Sequence, residues 1–128
     1  MWHEDKLEKL VNAVPEGESP NPFLVRSNSW LMNESLTVCN GPVFRKRQGH
    51  GLSMRFFYPA AQGAGMLFNR RLKEVILPFP ESITSYDFYI AMVAEMAGRS
   101  VYVPEPLMKY RLHAGNAVGV SDTPRALG

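Results

Sequence analysis

An α/β fold is what the sequence predicts, and three observations predict it. The chain opens on an apolar stripe at helical spacing, carries a second helical run over Tyr86 to Ala97, and places short apolar runs bounded by Pro and Gly between and after them. Helix-period and strand-period segments alternating along one chain give a small mixed sheet with flanking helices.

Leu7, Leu10, Val11 and Val14 stand three and four residues apart, so residues 2–14 read as a helix that Pro15 ends. Gly17, Pro20 and Pro22 make a turn-rich linker, after which Phe23-Leu24-Val25 and Ser29-Trp30-Leu31-Met32 read as strand pieces within 23–32. Residues 36–39 are a further strand, stopped by Asn40-Gly41-Pro42. Residues 43–58 run from basic to aromatic, with Gly49 and Gly51 breaking any period, and read as a loop with room for a short helix. Residues 64–68 read as a strand, Asn69-Arg70-Arg71 as a turn, and 71–77 as a helix.

Pro78 and Pro80 break the chain before Thr84 and Ser85, two good N-cap residues, and residues 86–97 read as a helix closed by Gly98. Residues 101–103 and 107–112 are the last strands, separated by Pro104 and Pro106. A single domain is expected over 1–117, with 118–128 a flexible tail that has little to bury.

With 128 residues, 45% of them hydrophobic and 20% charged, the chain has the material for one core. No apolar run approaches the roughly 18 residues that a membrane span needs, and the first residues lack the pattern of a signal peptide, so a cytoplasmic protein is expected. The single cysteine, Cys39, excludes an internal disulfide and a Cys-rich zinc site, and reads as a small buried apolar residue. A formal charge of +2 gives no case for nucleic acid. Arg45, Lys46, Arg47, His50 and Arg55 form a local basic cluster, either a solvated loop or an anion contact.

Thr84-x-x-Asp87 has the spacing of a capping box, in which Asp87 closes back on the cap residue. A carboxylate in that position is also preorganised at a helix N-terminus. His113 and Asn116 lie past a strand end in a Gly-containing turn, where side chains are exposed and either inert or turned to a ligand. Trp2, Trp30, Phe56, Phe57, Tyr58, Phe88 and Tyr89 are either core or, in part, a platform on which a sugar stacks.

Three blocks carry a family likeness. They are Gly63-Ala64-Gly65-Met66-Leu67-Phe68-Asn69-Arg70; Leu77-Pro78-Phe79-Pro80-Glu81 followed by Tyr86-Asp87-Phe88-Tyr89; and Val101-Tyr102-Val103-Pro104-Glu105-Pro106-Leu107 leading to Tyr110-Arg111-Leu112-His113-Ala114-Gly115-Asn116. In order and spacing they resemble the C-terminal, acceptor-side half of the family-two glycosyltransferases, the inverting group with the GT-A fold, and its rhamnosyltransferase-like members in particular. Trp2-His3-Glu4-Asp5-Lys6-Leu7 is similar to the stretch that follows the family's Asp-x-Asp-Asp metal motif.

The resemblance implies a partial GT-A-like mixed sheet. It makes Asp87 the catalytic base and Gly63, Gly65, Tyr110, Arg111, His113 and Asn116 substrate-binding residues, with His113 also a candidate metal ligand. Mg or Mn belongs to a complete enzyme of this kind, and no cofactor is expected in the isolated chain. The implied function is that of a truncated transferase domain that is inactive alone or needs a separate nucleotide-sugar-binding half, with a saccharide as acceptor. The alternatives are a stand-alone saccharide- or protein-binding module, and a folded remnant. An open sheet edge and an uncovered apolar surface lead to an expected homodimer.

Overall fold

The structure is a computed structural model that describes residues 1–17, 20–43 and 62–113, apart from the side chains of 38–40. The described residues form a mixed α/β unit of three helices and a four-stranded sheet. Helix α1 is Lys6–Asn12, strand β1 Phe23–Met32, strand β2 Val38–Pro42 and strand β3 Met66–Phe68. Helix α2 is Arg70–Ile76, helix α3 Tyr86–Ala97 and strand β4 Arg99–Arg111. The expected tail 118–128, the loop 44–58, the basic cluster and the Cys39 side chain lie outside the described residues.

β1 is the centre of the sheet. It pairs in parallel with β4 along its length, and on its other flank it pairs antiparallel with β3 at Leu24–Arg26 and with β2 at Trp30–Met32. The two strand pieces read from the sequence are one strand, and the polar run Arg26-Ser27-Asn28-Ser29 between them is buried. Arg26 Nε donates to Ser100 Oγ at 3.3 Å, and its guanidinium lies over the Tyr102 ring. Asn28 Oδ1 accepts from the Ser29 amide at 2.9 Å, and Ser29 Oγ is hydrogen-bonded to Gln62 Oε1. A polar strand sits at the centre of a sheet when most of its groups are satisfied in this way, and among the described residues Ser27 Oγ is buried without a hydrogen-bond partner.

β4 is likewise one strand where the prolines predict two. Val103 pairs with Ser27 and Pro106 with Asn28, so Pro104 and Glu105 are set aside in a bulge and the ladder resumes beyond them.

The two faces of the sheet carry separate cores, as alternation along β1 requires. Leu24 packs with Leu72 and Ile76 of α2 and with Ile90, Ala91 and Ala94 of α3. Phe23 and Val25 pack with Leu107 and with Leu10 of α1. Asn69 ties α2 to the start of β1: its Oδ1 accepts from the Leu72 amide at 3.0 Å and the Phe23 amide at 3.1 Å, and its Nδ2 donates to Asn21 O at 2.7 Å.

Two expectations at the N-terminus are corrected. The helix is shorter than 2–14, because residues 1–3 lie extended along the outer edge of β4: His3 N donates to Leu107 O at 2.9 Å and Lys109 N to Met1 O at 2.8 Å. The helical stripe also divides. Leu10 is buried, but Leu7 and Val11 remain 55% and 56% exposed, and the position beside Leu10 in the buried face is taken by Lys6.

Candidate functional site: a carboxylate seated on a glycine turn

Helix α3 begins one residue later than a Thr84 cap requires. Ser85 is the cap, and its Oγ accepts from the Phe88 amide at 3.5 Å. The capping box of Thr84 with Asp87 is therefore not formed, and the residue three beyond Ser85 is Phe88, which has no oxygen to close a box. Asp87 lies in the first turn with its carboxylate set against Gly63: a Cβ at Gly63 would stand 2.7 Å from Oδ1 and 3.3 Å from Cγ. Only a residue without a side chain leaves room for the carboxylate in that position.

The turn that seats Asp87 is Gly63–Gly65, a single 3₁₀ turn where the sequence predicts the start of a strand; β3 itself is only Met66–Phe68. Gly65 lies close against β1, where an added Cβ would meet Ser27 O at 3.2 Å. Three contacts hold the turn. Gly65 N donates to Gln62 O at 2.8 Å, Gln62 is tied to Ser29, and Lys6 Nζ donates to Ala64 O. Lys6 is 2% exposed, and that burial lowers its pKa below the ordinary lysine value. Its Nζ also stands 3.6 Å from the centroid of the Trp2 ring.

Tyr110, Arg111 and His113 occupy the far end of β4, with Tyr110 paired to Leu31 and Arg111 to Met32. Tyr110 is partly buried, whereas Arg111 and His113 are exposed. The Asp87 seat is level with Ser27 to Ser29 on the opposite flank of β1, so the two groups share the carboxyl-terminal half of β1 at levels roughly 10 Å apart along it. Asn116 lies outside the described residues. Among the described residues there is no group of three or more His, Cys, Asp or Glu placed to hold a metal ion.

Of the residues singled out in the sequence, Gly63, Gly65 and Asp87 come together in space, while Lys6 and Gln62, which hold the turn, were missed. Lys6 had a signal in its i, i+4 spacing to Leu10, which puts both on one helix face. Gln62 had none, because its partner Ser29 lies 33 residues away.

Comparison with family models, with curated proteins and with solved structures finds no match. Among the described residues no helix is long and apolar enough to cross a membrane.

Proposed function

We propose that this chain is the acceptor side of an inverting, nucleotide-sugar-dependent glycosyltransferase with a GT-A-like sheet, and that Asp87 is its general base. The observation that carries the reading is the separation of two roles at the start of α3. Ser85 caps the helix, so the Asp87 carboxylate is not the cap, and it lies against the glycine turn in a partly open position. An accessible carboxylate is what inverting transfer needs to take the proton from an attacking hydroxyl. Tyr110, Arg111 and His113 enter the reading as donors farther along the sheet from Asp87, Arg111 through its planar fork toward phosphate oxygens. No step is assigned to a metal. The nucleotide end of such a reaction belongs to a β-α-β unit joined to this chain or supplied separately.

The test is co-expression with a nucleotide-binding unit encoded beside it. Transfer with inversion at the anomeric carbon is expected, falling at least about 100-fold in Asp87→Asn. Retention of anomeric configuration, or full activity in Asp87→Asn, contradicts the reading.

A second reading, a self-associating module, is favoured by one feature. Leu7 and Val11, one turn apart on α1, are both more than half exposed. We propose that two copies of the chain pack this stripe together as a homodimer.

A further inference from the structure

Where residues 1–3 lie against β4, they enclose a cleft of about 380 Å³. Its walls are the two tryptophans of the chain, Trp2 and Trp30, with Pro106 and Met108. Met1, His3, Glu4 and Lys109 complete the lining. We infer that this cleft binds a pyranose ring stacked on Trp2 and Trp30, and that it is the saccharide subsite serving Asp87. Its use in transfer rests on the reading of Asp87 as a base; its capacity to bind sugar does not.

The chemistry of the lining selects the ligand. Pockets of this size take small ligands on mostly apolar walls, with a few polar groups to orient them. A pyranose offers an apolar C–H face to an indole and hydroxyls at its edge, and the polar groups supply both halves of a hydrogen bond. Glu4 accepts and Lys109 donates. His3 Nδ1 faces the Asp5 amide at 3.3 Å, which leaves Nε2 for a ligand. A carboxylate, an ammonium and an imidazole lining one cleft with the indoles suit the mixed donor and acceptor edge of a sugar.

The platform is also rigid. Trp2 is 58% exposed, yet its backbone is bridged to Met108 and its ring is held by the Lys6 ammonium. An exposed indole fixed in advance loses little side-chain freedom when a ligand arrives. Trp30 is set by the sheet, opposite Lys109 on β4. Lys6 also joins the cleft to the proposed base, since its Nζ contacts the Trp2 ring and donates to Ala64 O, and the next residue back, Gly63, seats Asp87.

The two indole N–H resonances of the full chain give the test. They are followed by NMR while methyl α-D-glucopyranoside, methyl α-D-mannopyranoside, methyl β-D-galactopyranoside and maltose are added, with sorbitol as a polyol that has no ring. At least one pyranoside is expected to move both signals saturably, with a Kd of about 10 mM or tighter, while sorbitol moves neither. Trp2→Ala weakens that binding at least about tenfold and Trp2→Phe restores most of it. The inference is overturned if no pyranoside moves the indoles, if sorbitol moves them equally, or if binding survives Trp2→Ala. Binding that persists while Asp87→Asn retains full transfer keeps the subsite and removes only the base.

Discussion

The carboxylate of Asp87 occupies the space that a side chain on Gly63 would need, with Oδ1 only 2.7 Å from where a Cβ would be. The contact joins the start of α3 to a turn that precedes β3, and it gives the first glycine of that turn a function. Gly63→Ala forces the carboxylate to rotate away. Because the displaced atom is the end of a side chain rather than backbone, the folded state loses little, no more than about 1 kcal/mol. Transfer by a complete enzyme is expected to fall at least about tenfold in the same variant, since a misplaced base costs rate steeply. Urea unfolding and a transfer assay on the same protein check both halves.

Gly98 makes the opposite forecast. A Cβ there would stand 1.9 Å from Pro22 O and 2.7 Å from its carbonyl carbon, and neither atom can swing aside. Arg99 N donates to that same carbonyl at 3.1 Å, so any shift also strains the start of β4. Gly98→Ala is expected to cost at least about 2 kcal/mol. Gly65→Ala, whose nearest clash is 3.2 Å from Ser27 O, falls between the two. Thermal unfolding of the three alanine variants should rank them in that order of damage.

The capping assignment separates neighbouring residues. Ser85→Ala removes the acceptor for the Phe88 amide and is expected to cost about 1 kcal/mol, while Thr84→Ala costs a few tenths at most. Equal losses in the two variants, measured by denaturant unfolding, would restore Thr84 to the cap.

Buried Lys6 gives the stability a pH dependence with a definite sign. Its pKa is below the ordinary 10.5 in the folded protein, because burial disfavours the charge. Between the lowered value and 10.5 the unfolded chain holds more protons, so stability rises with pH across that window. Lys9 acts in the other direction. Its hydrogen bond to Glu105 raises it above 10.5, so its contribution is complete below 10.5 and is lost as pH climbs through the raised value. Tyr102, raised above 10.0 by burial, adds a further loss above 10.0. Denaturant unfolding across alkaline pH is expected to lose its rising part in Lys6→Met and to lose less at the top of the range in Lys9→Met.

The proposed homodimer is open to a direct check. Sedimentation at micromolar concentrations is expected to give a dimer, and Leu7→Glu with Val11→Glu a monomer with an unchanged far-ultraviolet spectrum. A wild-type monomer removes the second reading and leaves the first untouched.

Legibility in the sequence followed the range of the forces involved. Helix α3 was read to the residue, because its cap, its apolar run and the closing Gly98 are local signals within the same stretch. The unity of β1 and of β4 was hidden. Arg26 to Ser29 look like a loop until Ser100, Tyr102 and Gln62 are brought to them, and Pro104 looks like a break until a bulge takes it up. The site divides in the same way. Asp87 stood out by its capping-box spacing, and Asp87, Gly63 and Gly65 together only through the family resemblance. Lys6, 58 residues from Ala64, looks like any lysine on an amphipathic helix. The late start of the first helix was missed for a related reason, since the edge of β4 that draws residues 1–3 into extended backbone lies at the other end of the chain.

The measurement that bears most directly on the central claim is made in the source organism. Asp87→Asn is placed on the chromosome, and the glycans of that strain are compared by mass spectrometry and linkage analysis with those of the wild type and of a strain deleted for the whole gene. If the chain is the acceptor side of a working transferase with Asp87 as base, the substitution and the deletion lose the same glycosidic linkage, and the Asp87→Asn protein accumulates to the wild-type level. A deletion that alters the glycans while Asp87→Asn leaves them intact contradicts the assignment of the base, and glycans unchanged by either contradict the transferase reading itself.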